Sequence, residues 1–255
     1  MSDLFPAKTY CKLCKFISQK SQGDKMKKFL MVIMIVALPT SIFAIGGFGL
    51  SVNSSTFSVD AGSSDLMVEN IKVGSFSYDS FENGGGIGGY LYLDIIPVVD
   101  LDIEYNFTGQ VYNFTFENAV TTAEPQEFAF LAGSMFITIQ KPIFDLGIPF
   151  LAKAKLYGGL GMNTNKSTPM VNQEMLEEVF GGASNLENGE YDYNAVTDYL
   201  SDNAVETSGF HIDAGIFFKV LTFSGSFYYR QVMADDAIPG NKGFGSMNFR
   251  IGLGI

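Results

Sequence analysis

From Phe244 to the carboxyl terminus the side chains change face at every residue. Met247, Phe249, Ile251, Leu253 and Ile255 fall on one side, Asn248, Arg250, Gly252 and Gly254 on the other. A period of two is the signature of a β-strand, and here one face is apolar and the other polar. A strand without a polar tail leaves a row of hydrogen-bonding groups open to pairing with other chains. The expectation is that the first strand of the same chain closes that edge.

Seven further runs alternate. In Ile45–Val59, Phe48, Leu50 and Val52 are in phase. In Gly84–Ile96, Ile87, Leu91, Leu93 and Ile95 oppose Tyr90, Tyr92 and Asp94. The clearest run is Val99–Thr108, where Val99, Leu101, Ile103, Tyr105 and Phe107 face away from Asp100, Asp102, Glu104, Asn106 and Thr108. Glu127–Gln140 is apolar on both faces, so its phase is ambiguous. Gly147–Met162 sets Phe150, Ala152, Ala154 and Leu156 against Lys153, Lys155 and Tyr157. Thr207–Val220 sets Phe210, Ile212, Ala214, Ile216 and Phe218 against His211, Asp213, Phe217 and Lys219. Leu221–Val232 sets Phe223, Phe227 and Tyr229 against Thr222, Ser224, Ser226, Tyr228 and Arg230.

The connections alternate between short and long. Tight turns are expected at Pro97-Val98, at Lys141–Asp145 and after Val220; long polar connections span 60–82, 117–126, 163–206 and 233–242. Lys72–Phe81 reads as a strand extension within the first of these, and helical spacing appears at Met170–Phe180 and Ala195–Leu200 in the longest. Eight strands of about ten residues, with one apolar face and all long loops at one end, are the pattern of an all-β, up-and-down antiparallel transmembrane barrel. A soluble lipocalin-type barrel also has eight alternating strands. It would turn the polar face to water and with it Tyr90, Tyr92, Tyr157, Phe217 and Tyr228, so the membrane assignment is preferred.

Residues 26–44 have a basic start, Met26-Lys-Lys, an apolar middle and the small-x-Ala end Ser-Ile-Phe-Ala44. That is the form of a secretory signal peptide. The apolar run Phe29–Ala44 contains Pro39 and falls short of the roughly 20 residues a transmembrane helix needs. Residues 1–25 then precede a segment that should come first, and are read as an extension from a misassigned start. They hold both cysteines, Cys11 and Cys14, and a lone CxxC is only half a zinc site. The leader region to Ala44 holds seven of the 16 basic and two of the 27 acidic residues, which leaves nine against 25, a net charge of −16, for the remainder. Such a surface repels a phosphate backbone, so no nucleic-acid partner is expected.

The leader at Met26–Ala44, the eight runs and the carboxyl-terminal series Met247, Phe249, Ile251, Leu253, Ile255 resemble the small eight-stranded bacterial outer-membrane β-barrel family, the OmpA/OmpX-like barrels. The resemblance covers 45–255. It implies export to the outer membrane of a Gram-negative cell, a monomer and outer-membrane lipid as surroundings, without implying an activity. The family usually ends in an aromatic residue, and Ile255 departs from that.

An eight-stranded barrel is just wide enough for side chains to fill it, so inward charges must meet one another. The inward phases place Asp94, Asp100, Asp102, Glu104 and Asp213 against Lys153, Lys155, Lys219, Arg230 and Arg250. Glu104, Lys153, Asp213 and Arg250 fall at comparable heights, so an ion-paired layer is expected at mid-depth. Balanced charge favours a plugged lumen; a small pore for ions or solutes, which would more readily show one sign, is the alternative. His211, the one histidine, is expected inside as a hydrogen-bonded structural residue; the competing reading makes it a general base oriented by Asp213 beside Ser226, as in lipid-modifying barrel enzymes. No catalytic centre, cofactor or metal site is expected. The loop 163–206 carries nine acids against Lys166 alone. It lacks calcium-loop spacing and reads as a solvated acidic surface, long enough to bind an extracellular partner. The function expected is structural or loop-mediated binding.

Overall fold

Strands whose two faces differ in polarity can bury one face only by curling the sheet round it, and here the sheet closes. The computed structural model describes residues 46–68, 71–96, 99–118, 124–148, 151–180 and 193–254. The expected leader, residues 1–25 with both cysteines, the Pro97-Val98 turn and Ile255 lie outside the described residues. The elements are β1 (Gly46–Val59), β2 (Gly62–Val68), β3 (Ile71–Tyr78), β4 (Phe81–Ile96), β5 (Val99–Asn118), β6 (Gln126–Ile148) and β7 (Ala152–Ser167). There follow helices α1 (Gln173–Phe180) and α2 (Tyr193–Asp202), then β8 (Val205–Val220), β9 (Phe223–Met233) and β10 (Phe244–Gly254).

Eight strands make the ring β1-β4-β5-β6-β7-β8-β9-β10, all neighbours antiparallel. β1 closes it against β10, from Gly47↔Gly254 to Thr56↔Gly245, as the open edge requires. β2 and β3 form a hairpin outside the ring, joined to the upper end of β5 from Gly74↔Asn118 to Tyr78↔Phe114. The pairings also fix the tilt. Stepping from Ile148 of β6 through Ala152, Val220, Phe223, Leu253, Phe48, Leu91 and Ile103 leads back to β6 at Ile137. A register that gains this much in one circuit requires strongly tilted strands.

The outer wall is apolar on every ring strand. Leu50, Leu160 and Ile251 are 70, 62 and 57 % exposed, and Ile87, Phe107, Ile139, Ile212 and Phe227 project beside them. The inner wall holds the charges, amides and hydroxyls. Polar inside and apolar outside inverts the arrangement of a soluble protein, and a continuous apolar belt of this extent is a lipid-facing surface. No helix among the described residues is long and apolar enough to cross a membrane. The ring strands are long enough: the shortest, β9 and β10, have 11 residues each.

Several strand boundaries differ from those read in the sequence. The turn expected at Lys141–Asp145 is strand, because Pro142 sits beside a bulge where the register slips between Pro142 and Phe144, a place where a missing N–H is tolerated. β6 therefore runs on to Ile148 and β7 starts at Ala152 instead of Gly147. β5 continues past Thr108 to Asn118, and β7 and β8 extend into the loop as far as Ser167 and from Val205. Both helices expected in that loop form.

Candidate functional site

The lumen is built in tiers, each set by the inward residues of several strands. At the tight-turn end Lys155 Nζ donates to Asp100 at 2.5 Å and lies 3.7 Å from Asp94. Lys153 pairs with Asp94 at 3.4 Å and with Asp145 at 3.6 Å. Lys153 is thus not part of the mid-depth layer in which the sequence placed it. The turn of its hairpin lies beyond Ile148, so Lys153 stands close to the barrel's end. Lys219 is half-buried at the same end and takes part in none of these bridges.

Mid-depth is where the charges interlock. Arg250 grips Asp102 through two parallel hydrogen bonds of 2.6 and 2.9 Å and also pairs with Glu104. Arg230 donates to Asp213 through Nε and Nη2 at 2.9 and 3.0 Å, and Nη2 lies 2.9 Å from Glu104. Tyr228 Oη and Asn106 Nδ2 donate to Glu104 at 2.5 and 3.0 Å. Rings flank both guanidiniums: Phe136 lies 3.8 Å from Arg230, and Tyr90 and Tyr228 lie 4.7 and 4.6 Å from Arg250. Two cations against three carboxylates would be costly to bury bare. The forked geometry of arginine and the extra donors to Glu104 offset that cost.

His211 is fully buried, its Nε2 2.8 Å from Thr138 Oγ1 and its ring edge-on to Phe136. Asp213, the acid proposed to orient it, gives both oxygens to Arg230, so the arrangement needed for a general base is not assembled. Above lies a collar of amides and hydroxyls. Ser51 donates to Asn106 at 2.8 Å, Thr108 to Asn53 at 3.1 Å and Asn165 to Asn163 at 2.7 Å. Gly88 of β4 leaves room for it, since a Cβ there would collide with Asn106 and the Tyr105 carbonyl.

Above the collar the lumen turns apolar, which the sequence reading missed. Phe57, Phe81, Tyr112 and Phe130 pack together, Phe81 stacked on Tyr112 at 5.1 Å and 14°. Met175 of α1 and Tyr199 of α2 are buried in the same cluster. Asn172 caps α1 by accepting from the Met175 N–H at 2.8 Å and also accepts from Tyr199 Oη at 3.1 Å. Tyr112 Oη accepts from the Val171 N–H at 3.3 Å, which ties the incoming loop to β5. Two small spaces lie in the lumen among the described residues, one of about 20 Å³ between Tyr90, Lys155 and Arg250 and one of about 10 Å³ under Ile238. The larger recess is outside, at the long-loop end. A groove of about 810 Å³ runs between the β2–β3 hairpin, the start of α1 and the β9–β10 connection, lined among others by Tyr78, Met170, Glu174 and Asp236.

No protein-family model and no curated protein matches the sequence. Among solved structures, Ail of Yersinia pestis in complex with the heparin analogue sucrose octasulfate is 13 % identical, with 82 % of this chain and 97 % of that chain covered at a TM-score of 0.37. OprG of Pseudomonas aeruginosa is 10 % identical over 82 % and 94 % at a TM-score of 0.39, and Neisserial surface protein A 11 % over 82 % and 96 % at 0.37. At such TM-scores the fold assignment rests on the ring of strands itself. Closed by β1 against β10, apolar outside and filled with paired charges and aromatic rings within, the chain is a small eight-stranded antiparallel β-barrel of the outer-membrane type.

Proposed function

We propose that the protein is a Gram-negative outer-membrane barrel with a non-conducting lumen and no catalytic centre, whose role is to bind a partner at its long-loop, extracellular end. The observation that carries this reading is the contrast between a lumen crossed by two buried barriers, the arginine–carboxylate layer and the aromatic plug, and an open groove of about 810 Å³ at the rim. Glu174 and Asp236 border that groove beside Tyr78 and Met170, so it suits a segment with cationic and apolar side chains. Helices α1 and α2 carry further acids, Glu178, Asp198 and Asp202 among them, and add long-range attraction.

A short fluorescent peptide of alternating Lys and Leu, titrated against the refolded barrel at low and physiological salt, tests the proposal. The wild type is expected to bind it at least about tenfold more tightly than the matching Glu–Leu peptide, and the doubly reversed variant Glu174→Lys, Asp236→Lys is expected to lose that preference. Equal binding of the two peptides, or a preference unchanged in the variant, contradicts the groove's role.

A further inference from the structure

Lys141 is out of place. It is exposed on β6, where Gln140 points into the lumen and the next residue therefore points outward, into the apolar belt. Along its own strand it is bracketed by Ile139 and Ile143, 56 and 71 % exposed, with Phe144 just beyond. On β7 its register partner is Gly158, between the outward Leu156 and Leu160. Two other exposed lysines on strands have acids beside them: Lys166 is 2.9 Å from Glu206, and Lys72 is 2.6 Å from Asp65. No acid pairs with Lys141 among the described residues.

We propose that Lys141 anchors the phosphate of a phospholipid in the leaflet at the tight-turn end of the barrel. An ammonium on the lipid face is unfavourable in hydrocarbon and becomes tolerable as it nears the interface. Lys141 lies on the tight-turn side of Ile137 and Ile139, so its flexible stem can lie along the wall and carry the charge toward the headgroups. Gly158 offers no side chain opposite Lys141, Ile143 Cδ1 being the side-chain atom that comes nearest to it, and the bulge between Pro142 and Phe144 breaks the regular row beside it. A negatively charged phosphate is the group such a site holds, whereas an acyl chain alone leaves the charge unanswered. This inference requires the belt to face lipid and is independent of the extracellular groove.

Native mass spectrometry of the refolded, full-length barrel in detergent, titrated with phosphatidylglycerol, tests it. The wild type and Lys141→Arg are expected to retain one lipid at concentrations where Lys141→Leu retains at least about tenfold less. Excess inorganic phosphate is expected to leave the lipid bound. Folding of each variant is read from the mobility of unboiled samples, and Lys141→Leu, which makes the belt more apolar, is expected to fold. Equal retention by Lys141→Leu, no retention by the wild type, or displacement by inorganic phosphate overturns the proposal. Failure of the belt itself is separately visible, because such a protein would stay folded and monodisperse with neither detergent nor lipid.

Discussion

Replacing Arg250 with Met is expected to destabilise the barrel by about 3–5 kcal/mol, the loss typical of breaking a buried ion pair from one side. Arg250 is 2 % exposed and is the hydrogen-bonding partner of Asp102, so its removal strands that carboxylate and takes from Glu104 one of its two guanidinium partners. Arg230 keeps its Nε and Nη2 on Asp213 and Glu104. Urea unfolding of the barrel in lipid vesicles measures the effect, followed by tyrosine fluorescence since the chain has no tryptophan. Neutralising the stranded acid is expected to restore part of the loss, so Arg250→Met with Asp102→Asn should be more stable than Arg250→Met alone. A single variant within about 0.5 kcal/mol of wild type, the range of an ordinary surface change, would mean that the layer contributes nothing.

Leu50→Arg is expected to cost about 2–4 kcal/mol in a bilayer, the penalty for a cation near the middle of the lipid-facing wall of a barrel. Leu50 is 70 % exposed on β1, between Ile251 of β10 and Gly89 of β4. The sign of the effect separates two physical environments. If water bathed this surface, exchanging so exposed a leucine for arginine would alter stability by no more than about 0.5 kcal/mol and would improve solubility. The same vesicle unfolding assay decides between them, with a loss for a lipid-facing wall and no loss for a wet one.

Phase was legible wherever the two faces of a strand differ in chemistry along its length. In the lower half of β5, in β8 and β10, and in β9 from Ser224 onward, the residues read as inward lie on the lumen side, Asp102, Asp213, Arg230 and Arg250 among them, whereas Thr222, read into the same phase, is an exposed turn residue. β6 was not legible because its inward Phe130, Ala132 and Phe136 are as apolar as its outward Leu131, Met135 and Ile137. The cause is that the lumen changes character with height, from charged to aromatic, so a single rule of polar-in and apolar-out fails in its upper half. A signal was present: the inward series of β5 passes from Asp, Glu and Asn to Tyr112, Phe114 and Phe116 without changing phase. Pairing partners were less accessible than participants. Which acid meets which base depends on the stagger of all eight strands, which no strand reveals by itself. Lys153 shows the consequence, because a turn assigned to Pro142 rather than beyond Ile148 moved it from the barrel's end to mid-depth.

Among the described residues, paired charges and packed rings occupy this lumen from Lys155 to Phe130, and the proposed function requires that they leave no conducting path. Conductance tests it most directly. Purified, heat-modifiable barrel incorporated into a planar bilayer is predicted to give no unitary current across the accessible voltage range. Steady, stepwise current from the wild-type protein would contradict the account.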